Sequence, residues 1–231
     1  MYFVFDGRPP EATYPEPNVI DMIWTTQTEG MGEGTFISTA TTNWEMVITR
    51  EQGNVTLTVR GPETKARHAE YPSDAEFLGI SFKMGVYMPK LPVSQLVNED
   101  LNMPNAAGKF WLHGSAWEFP TFDNVEVFVN RLMREGLLVR DDVVDAVLKE
   151  QPHYWSVRTV RRRFLNATGL THQAIQQIQR ASRAAQLLTE GTPILDTVHE
   201  LGYFDQPHMT KALKQLMGQT PAQLLRVKDD E

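Results

Sequence analysis

Three arginines, Arg158, Arg161 and Arg162, fall at positions i, i+3 and i+4 of one segment. On an α-helix that spacing puts all three guanidiniums on one face. Like charges this close repel one another unless solvent or an anion answers them. Each planar guanidinium can donate two parallel hydrogen bonds to the O6/N7 edge of guanine, or bind a phosphate. A second cluster, Gln206, His208, Thr210 and Lys211, lies near the start of another short segment. Gln matches the N6/N7 edge of adenine, Lys favours guanine or phosphate, and Thr can meet a thymine methyl. These residue types suit base reading in a DNA groove. The plain alternative is a solvated basic face.

Helices must hold both clusters, and the flanking residues supply them. Ser156 is placed to cap a helix in which Val157, Val160 and Phe164, at i, i+3 and i+7, face the core and Gly169 is the stop. A preceding helix starts at Asp142, buries Val143, Val144 and Val147, and stops at Pro152. The second cluster repeats the layout. Pro193 opens a helix to Leu201, Gly202 makes a tight turn, and Asp205 caps the next helix. Met209, Leu213 and Leu216 point inward, Pro207 is tolerated in the first turn, and Gly218 is the stop. Between the two, Thr171 caps a long helix reaching Gly191. At 1.5 Å per residue over roughly 18 residues it spans about 27 Å, close to the roughly 34 Å of one duplex turn. The layout predicts two readers touching successive major-groove segments. Arg163, Arg180, Lys214 and the helix N-terminus at Thr171 are candidate phosphate contacts.

Composition allows this. The chain has 231 residues, 41% hydrophobic and 22% charged, as in a soluble globular protein of two ordinary domains. Its net charge of −7 argues against a nucleic-acid partner until it is divided. Residues 1–152 carry 12 Lys and Arg against 22 Asp and Glu, whereas 153–228 carry 10 against 4. An acidic module is joined to a basic one. The absence of Cys excludes disulfides, thiolate nucleophiles and Cys-ligated zinc. No apolar run is long enough for a membrane span, and the N-terminus does not read as a signal peptide, so the cytoplasm is the expected compartment.

The N-terminal half alternates apolar and polar residues over 19–26, 35–41, 44–50, 55–60 and 76–82, separated by Gly and Pro. Several short strands predict a small barrel or sandwich. The glycines at 30, 32 and 34 lead into a strand and not a helix, so a phosphate loop fails its context test. A short helix is expected over 91–97, loop over 104–120, and a helix over 123–135 capped by Asp123. No His pair has metal-site spacing, no Ser sits in a nucleophile elbow, and the carboxylates form no readable pair. Catalysis, a metal and a cofactor are therefore not expected. Trp24, Trp44, Trp111 and Trp117 could line a ligand pocket, and core packing explains each at least as well.

On the C-terminal residues the chain resembles the AraC family of bacterial transcription regulators. The resemblance covers 141–226. It rests on Ser156-Val-Arg-Thr-Val-Arg-Arg-Arg-Phe164, Gly169-Leu-Thr171, Arg180, Ala184, Leu187-Leu188 and Ile194-Leu-Asp-Thr-Val198. It continues through Gly202-Tyr-Phe-Asp-Gln206, Leu213-Lys214 and Gly218-Gln-Thr-Pro221. It implies two helix-turn-helix subdomains bridged by a helix, behind a module that senses a small effector or dimerises. The expected class is α+β: a β-barrel or cupin-like effector-binding or dimerisation domain at 1–120, a connecting helix at 121–140, and an all-α DNA-binding domain at 141–228. The expected partners are double-stranded DNA, a small-molecule effector, a second copy of the chain and RNA polymerase. Two other readings of the N-terminal half stay open: a small-molecule-modifying enzyme, and a protein-docking module.

Overall fold

A computed structural model of the chain describes residues 6–8, 19–28, 30, 32–151 and 154–226. The expected Pro152 stop, the first five residues and the acidic C-terminus lie outside the described residues. The strands are β1 (Asp6–Arg8), β2 (Ile20–Gln27), β3 (Gly34–Ser38), β4 (Glu45–Glu51), β5 (Asn54–Arg60), β6 (Arg67–Tyr71), β7 (Ala75–Phe82), β8 (Val86–Tyr87), β9 (Asp100–Asn102), β10 (Asn105–Ala106), β11 (Lys109–Leu112), β12 (Ser115–Glu118) and β13 (Val139–Arg140). The helices are α1 (Val125–Arg134), α2 (Asp142–Leu148), α3 (Val157–Thr168), α4 (His172–Thr189), α5 (Ile194–Glu200), α6 (Gln206–Leu216) and α7 (Pro221–Arg226).

The described residues divide into two compact units. The first takes those up to Gly34, then Asn43–Pro62 and Glu70–Leu170; the second takes Thr35–Thr42, Glu63–Ala69 and those from Thr171 onward. The division falls inside the segment 141–228 that the sequence presents as one domain.

In the first unit a six-stranded sheet runs in the order β1-β2-β7-β4-β5-β9. Period-two alternation gives it one inward face. Met46, Ile48, Leu57, Val59, Ile80 and Phe82 are buried there. The α+β class is as expected, but the sheet is open and not a closed barrel. Its end strands, β1 and β9, are three residues each and pair on one side only, too short to complete a closing seam. The region 104–120 is not loop but a three-stranded antiparallel sheet, β10-β11-β12. The helix expected over 91–97 is a single 3-10 turn at Val93–Gln95. Asp123 does not cap α1. A 3-10 turn at Phe122–Asn124 precedes the helix, and the Thr121 backbone N–H donates to Asn124 Oδ1 at 2.8 Å.

This unit also contains the first helix pair. The Asp141 N–H donates to the Gly85 carbonyl at 2.8 Å, which ties the start of α2 to the antiparallel pair β8–β13. Phe164 and Ala167 are buried at the far end of α3, and Leu170 just beyond it.

In the second unit α4 supplies a buried stripe of Ile175, Ile178, Ala181, Ala184, Leu187 and Leu188. The spacing follows the helical period. Two chain segments from the N-terminal half complete this unit. The Ala40 N–H donates to the Leu216 carbonyl at 2.7 Å, and the Ala66 N–H donates to the Gln215 carbonyl at 2.9 Å. The last carbonyls of a helix lack partners within it, and here the borrowed segments supply donors to the end of α6. Gly218 follows at φ +71; a Cβ there would lie 2.7 Å from Ile37 Cγ2 and 3.2 Å from Ala66 Cβ. Only glycine fits so close an approach without strain.

Candidate nucleic-acid interface

Asp141 caps α2: its Oδ1 accepts from the N–H groups of Val143 at 3.0 Å and Val144 at 3.1 Å. The second carboxylate oxygen, Oδ2, lies 2.7 Å from Arg163 Nε on α3. The Asp141 side chain is 0% exposed. One buried carboxylate thus starts the first helix and ties it to the second. Asp145, one turn on, pairs with Arg140 and with Lys149, the latter at 2.8 Å. Burial opposes its ionisation, but the Lys149 hydrogen bond and the Arg140 charge outweigh that, holding the carboxyl below its ordinary range.

Ser156 caps α3 as expected, its Oγ accepting from the Thr159 N–H at 3.1 Å. Arg158, Arg161 and Arg162 all lie exposed along the helix. Val157 is not inward. It is 67% exposed, so the packed stripe begins at half-buried Val160 and deepens at Phe164. Arg163, expected on phosphate, has its guanidinium beside the Asp141 carboxylate.

In the second unit Thr171 caps α4, its Oγ1 accepting from the Ala174 N–H at 3.2 Å. Asp205 caps α6, its Oδ1 accepting from the His208 N–H at 2.7 Å. Pro193 sits at the N-cap of α5 and not inside its first turn. Gln206, His208 and Lys211 are exposed and Thr210 is half-buried, while Met209, Leu213 and Leu216 are buried as expected. His208 has internal work as well. Its Nδ1 accepts from the Phe204 N–H at 3.4 Å and its ring meets Tyr203 edge-on, centroids 5.4 Å apart. That assignment leaves Nε2 as the donor able to reach outward. Lys214 is exposed. Arg180, expected on phosphate, stands 4.7 Å over the ring of buried Tyr203. Burial pushes the Tyr203 hydroxyl up, against the pull of the Arg180 charge.

Of the four candidate effector liners, Trp24, Trp44 and Trp117 are packed in the core of the first unit. Trp24 lies over Gly79 and donates through Nε1 to Glu45 Oε2 at 3.2 Å. Trp44 stacks on Phe82 at 4.2 Å between centroids and donates to the Val86 carbonyl at 2.6 Å. Trp117 meets Phe128 edge-on and carries the Arg131 guanidinium 4.2 Å over its ring. Trp111 is exposed. Among the described residues no group of three or more His, Cys, Asp or Glu is placed to hold a metal ion, and no helix is long and apolar enough to cross a membrane.

Reading the sequence alone missed Asp141 as cap and as partner of Arg163. The signal was there: an Asp directly before an apolar run is an N-cap signature. It also missed the exposure of Val157 and Phe204 beside the two caps, for which the spacing carries no signal.

The family model described as a helix-turn-helix domain matches residues 154–226. A search of curated proteins found no match. Among solved structures, ToxT from Vibrio cholerae aligns at 9% identity and a TM-score of 0.43, covering 90% of this chain and 98% of that one. An apo variant of ToxT from the same organism aligns at 8% and 0.40, covering 89% and 97%. Residues 154–226 of this chain thus match the model of a helix-turn-helix domain of the AraC type.

Proposed function

We propose that this protein is a sequence-specific transcription regulator whose α3 and α6 read DNA in successive major-groove segments. Arg158, Arg161 and Arg162 read bases from α3; Gln206, His208, Thr210 and Lys211 read them from α6. Lys214 and the N-terminus of α4 at Thr171 contact phosphates. Arg163 and Arg180 act through their internal partners, by holding the helices that carry the readers. The observation that supports this most is the α3 surface. Three guanidiniums lie exposed on one capped helix, inside a segment matched to a DNA-binding fold. Exposed cations without a ligand gain little for stability, whereas a polyanion answers all three.

The N-terminal module senses a small effector or pairs two copies of the chain, and RNA polymerase is the downstream partner. The cytoplasm is the compartment, and the chain catalyses no reaction. Selection from a random duplex library tests the central part: a recurring sequence motif supports it, and recovery of no motif at moderate salt removes it. Thermal melting against a metabolite library tests sensing, since a ligand that binds only the folded state raises Tm.

A further inference from the structure

Both proposed reading helices carry a bare apolar side chain next to the cap. Val157, the first residue of α3 after Ser156, is 67% exposed. Phe204, directly before Asp205 at the start of α6, is 90% exposed. The two lie in different compact units, so one packing accident does not explain both. Neither is on a mobile-looking tether. The Ser156 cap fixes the turn that bears Val157, and the Phe204 backbone N–H donates to His208 Nδ1.

The N-terminal end of a recognition helix is the part that meets base edges. In the major groove the one apolar group on a base pair is the 5-methyl of thymine, and apolar side chains read it by contact. The surroundings select this occupant over an apolar protein surface. Arg158 directly follows Val157, with Arg161 and Arg162 on the same helix, and Gln206 and His208 flank Phe204's cap. A partner without anionic groups would leave those cations and hydrogen-bonding groups desolvated and unanswered.

We infer that Val157 and Phe204 are specificity residues that read thymine through its methyl group, one at each proposed contact segment. This rests on the base-reading proposal above and adds a chemical preference to it. The ionic and amide readers distinguish guanine and adenine; the apolar pair demands thymine beside them.

The test separates the two levels. The full chain selects its site from random duplexes. Each thymine of that site is then replaced singly by deoxyuridine, which removes the methyl and keeps every Watson–Crick group. Affinity should fall about fourfold at one thymine in each contact segment, the worth of one buried methylene-sized group. Val157→Ser should abolish the deoxyuridine effect at one position and Phe204→Ser at the other, with Tm unchanged because both side chains are exposed. Equal binding of thymine and deoxyuridine at every position overturns the inference and leaves base reading intact. So does a full deoxyuridine effect that persists in both variants. Loss of self-association in the variants with the methyl effect unchanged assigns the two residues to a protein contact, and also overturns it. Selection of no motif removes the base-reading proposal and this inference together.

Discussion

Arg163 and Asp141 form an ion pair, Nε to Oδ2 at 2.7 Å, around a carboxylate with no solvent exposure. The same carboxylate caps α2 through its other oxygen. A buried charge is tolerated only when paired and hydrogen-bonded. Asp141→Ala removes the cap and leaves the partly exposed arginine to solvent, and should cost about 0.5–2 kcal/mol. Arg163→Ala leaves Oδ2 of the fully buried carboxylate without its counter-charge, since both backbone donors go to Oδ1, and should cost about 3–5 kcal/mol. Urea unfolding of the two single variants and the double variant measures the coupling. A sum of the single effects equal to the double effect would show that the pair does not act as a unit.

On the proposed function, the cations around the interface divide into those that contact DNA and those that hold the fold. Lys214 is exposed, and Lys214→Ala should reduce the slope of log binding constant against log salt by about 1, uniformly across sequences. Arg180→Ala should instead lower stability by about 0.5–2 kcal/mol through loss of its stacking on Tyr203. Salt titrations and melting curves on both variants distinguish the roles; a reduced salt slope without destabilisation in Arg180→Ala would move it to the phosphate class.

A fragment that begins at 141 lacks Thr35–Thr42 and Glu63–Ala69, the segments packed into the second unit. It should melt below the full chain, because the Gln215 and Leu216 carbonyls lose their donors. In the full chain the Ala40 and Ala66 amides should exchange slowly, and Gly218→Ala should speed both through its clash with Ile37 and Ala66. Exchange followed by mass spectrometry reads this directly. Unprotected amides at both positions in the unaltered chain would contradict the packing.

Asp145 gives a pH signature. Its carboxyl is held below the ordinary value of 3.8. The folded state therefore favours the charged form, and the stabilisation is complete above that value. It is lost as pH falls from there through the lower folded pKa. Asp145→Asn should be less stable than the parent at neutral pH by at most about 1 kcal/mol, the scale of a half-exposed pair. The difference should vanish in strong acid. A difference that persists there unchanged would assign the effect to something other than charge.

Much of the DNA-facing half was legible because caps and periodicity carry it. Ser156, Thr171 and Asp205 each accept the predicted kind of N–H bond, and Met209, Leu213 and Leu216 are buried as the helical period requires. The strands around 104–120 were not legible. Their turns place Ala107 and His113 at positive φ, 51° and 50°, where Asn or Asp would have announced a hairpin. Local spacing also cannot foretell long-range partners. Arg163 looks like Arg162 in sequence, yet Asp141, 22 positions earlier, claims only one of them. Nor does periodicity reveal that 35–42 and 63–69 would complete a unit whose helices lie more than a hundred residues downstream.

The decisive measurement is binding of the selected duplex by the full chain and by Arg158→Ala, Arg161→Ala and Arg162→Ala, titrated at one fixed salt concentration. Base reading by α3 predicts that a lost base-contacting arginine costs about 1–3 kcal/mol and relaxes preference at one base position. Unchanged affinity and unchanged sequence preference in all three variants would contradict it.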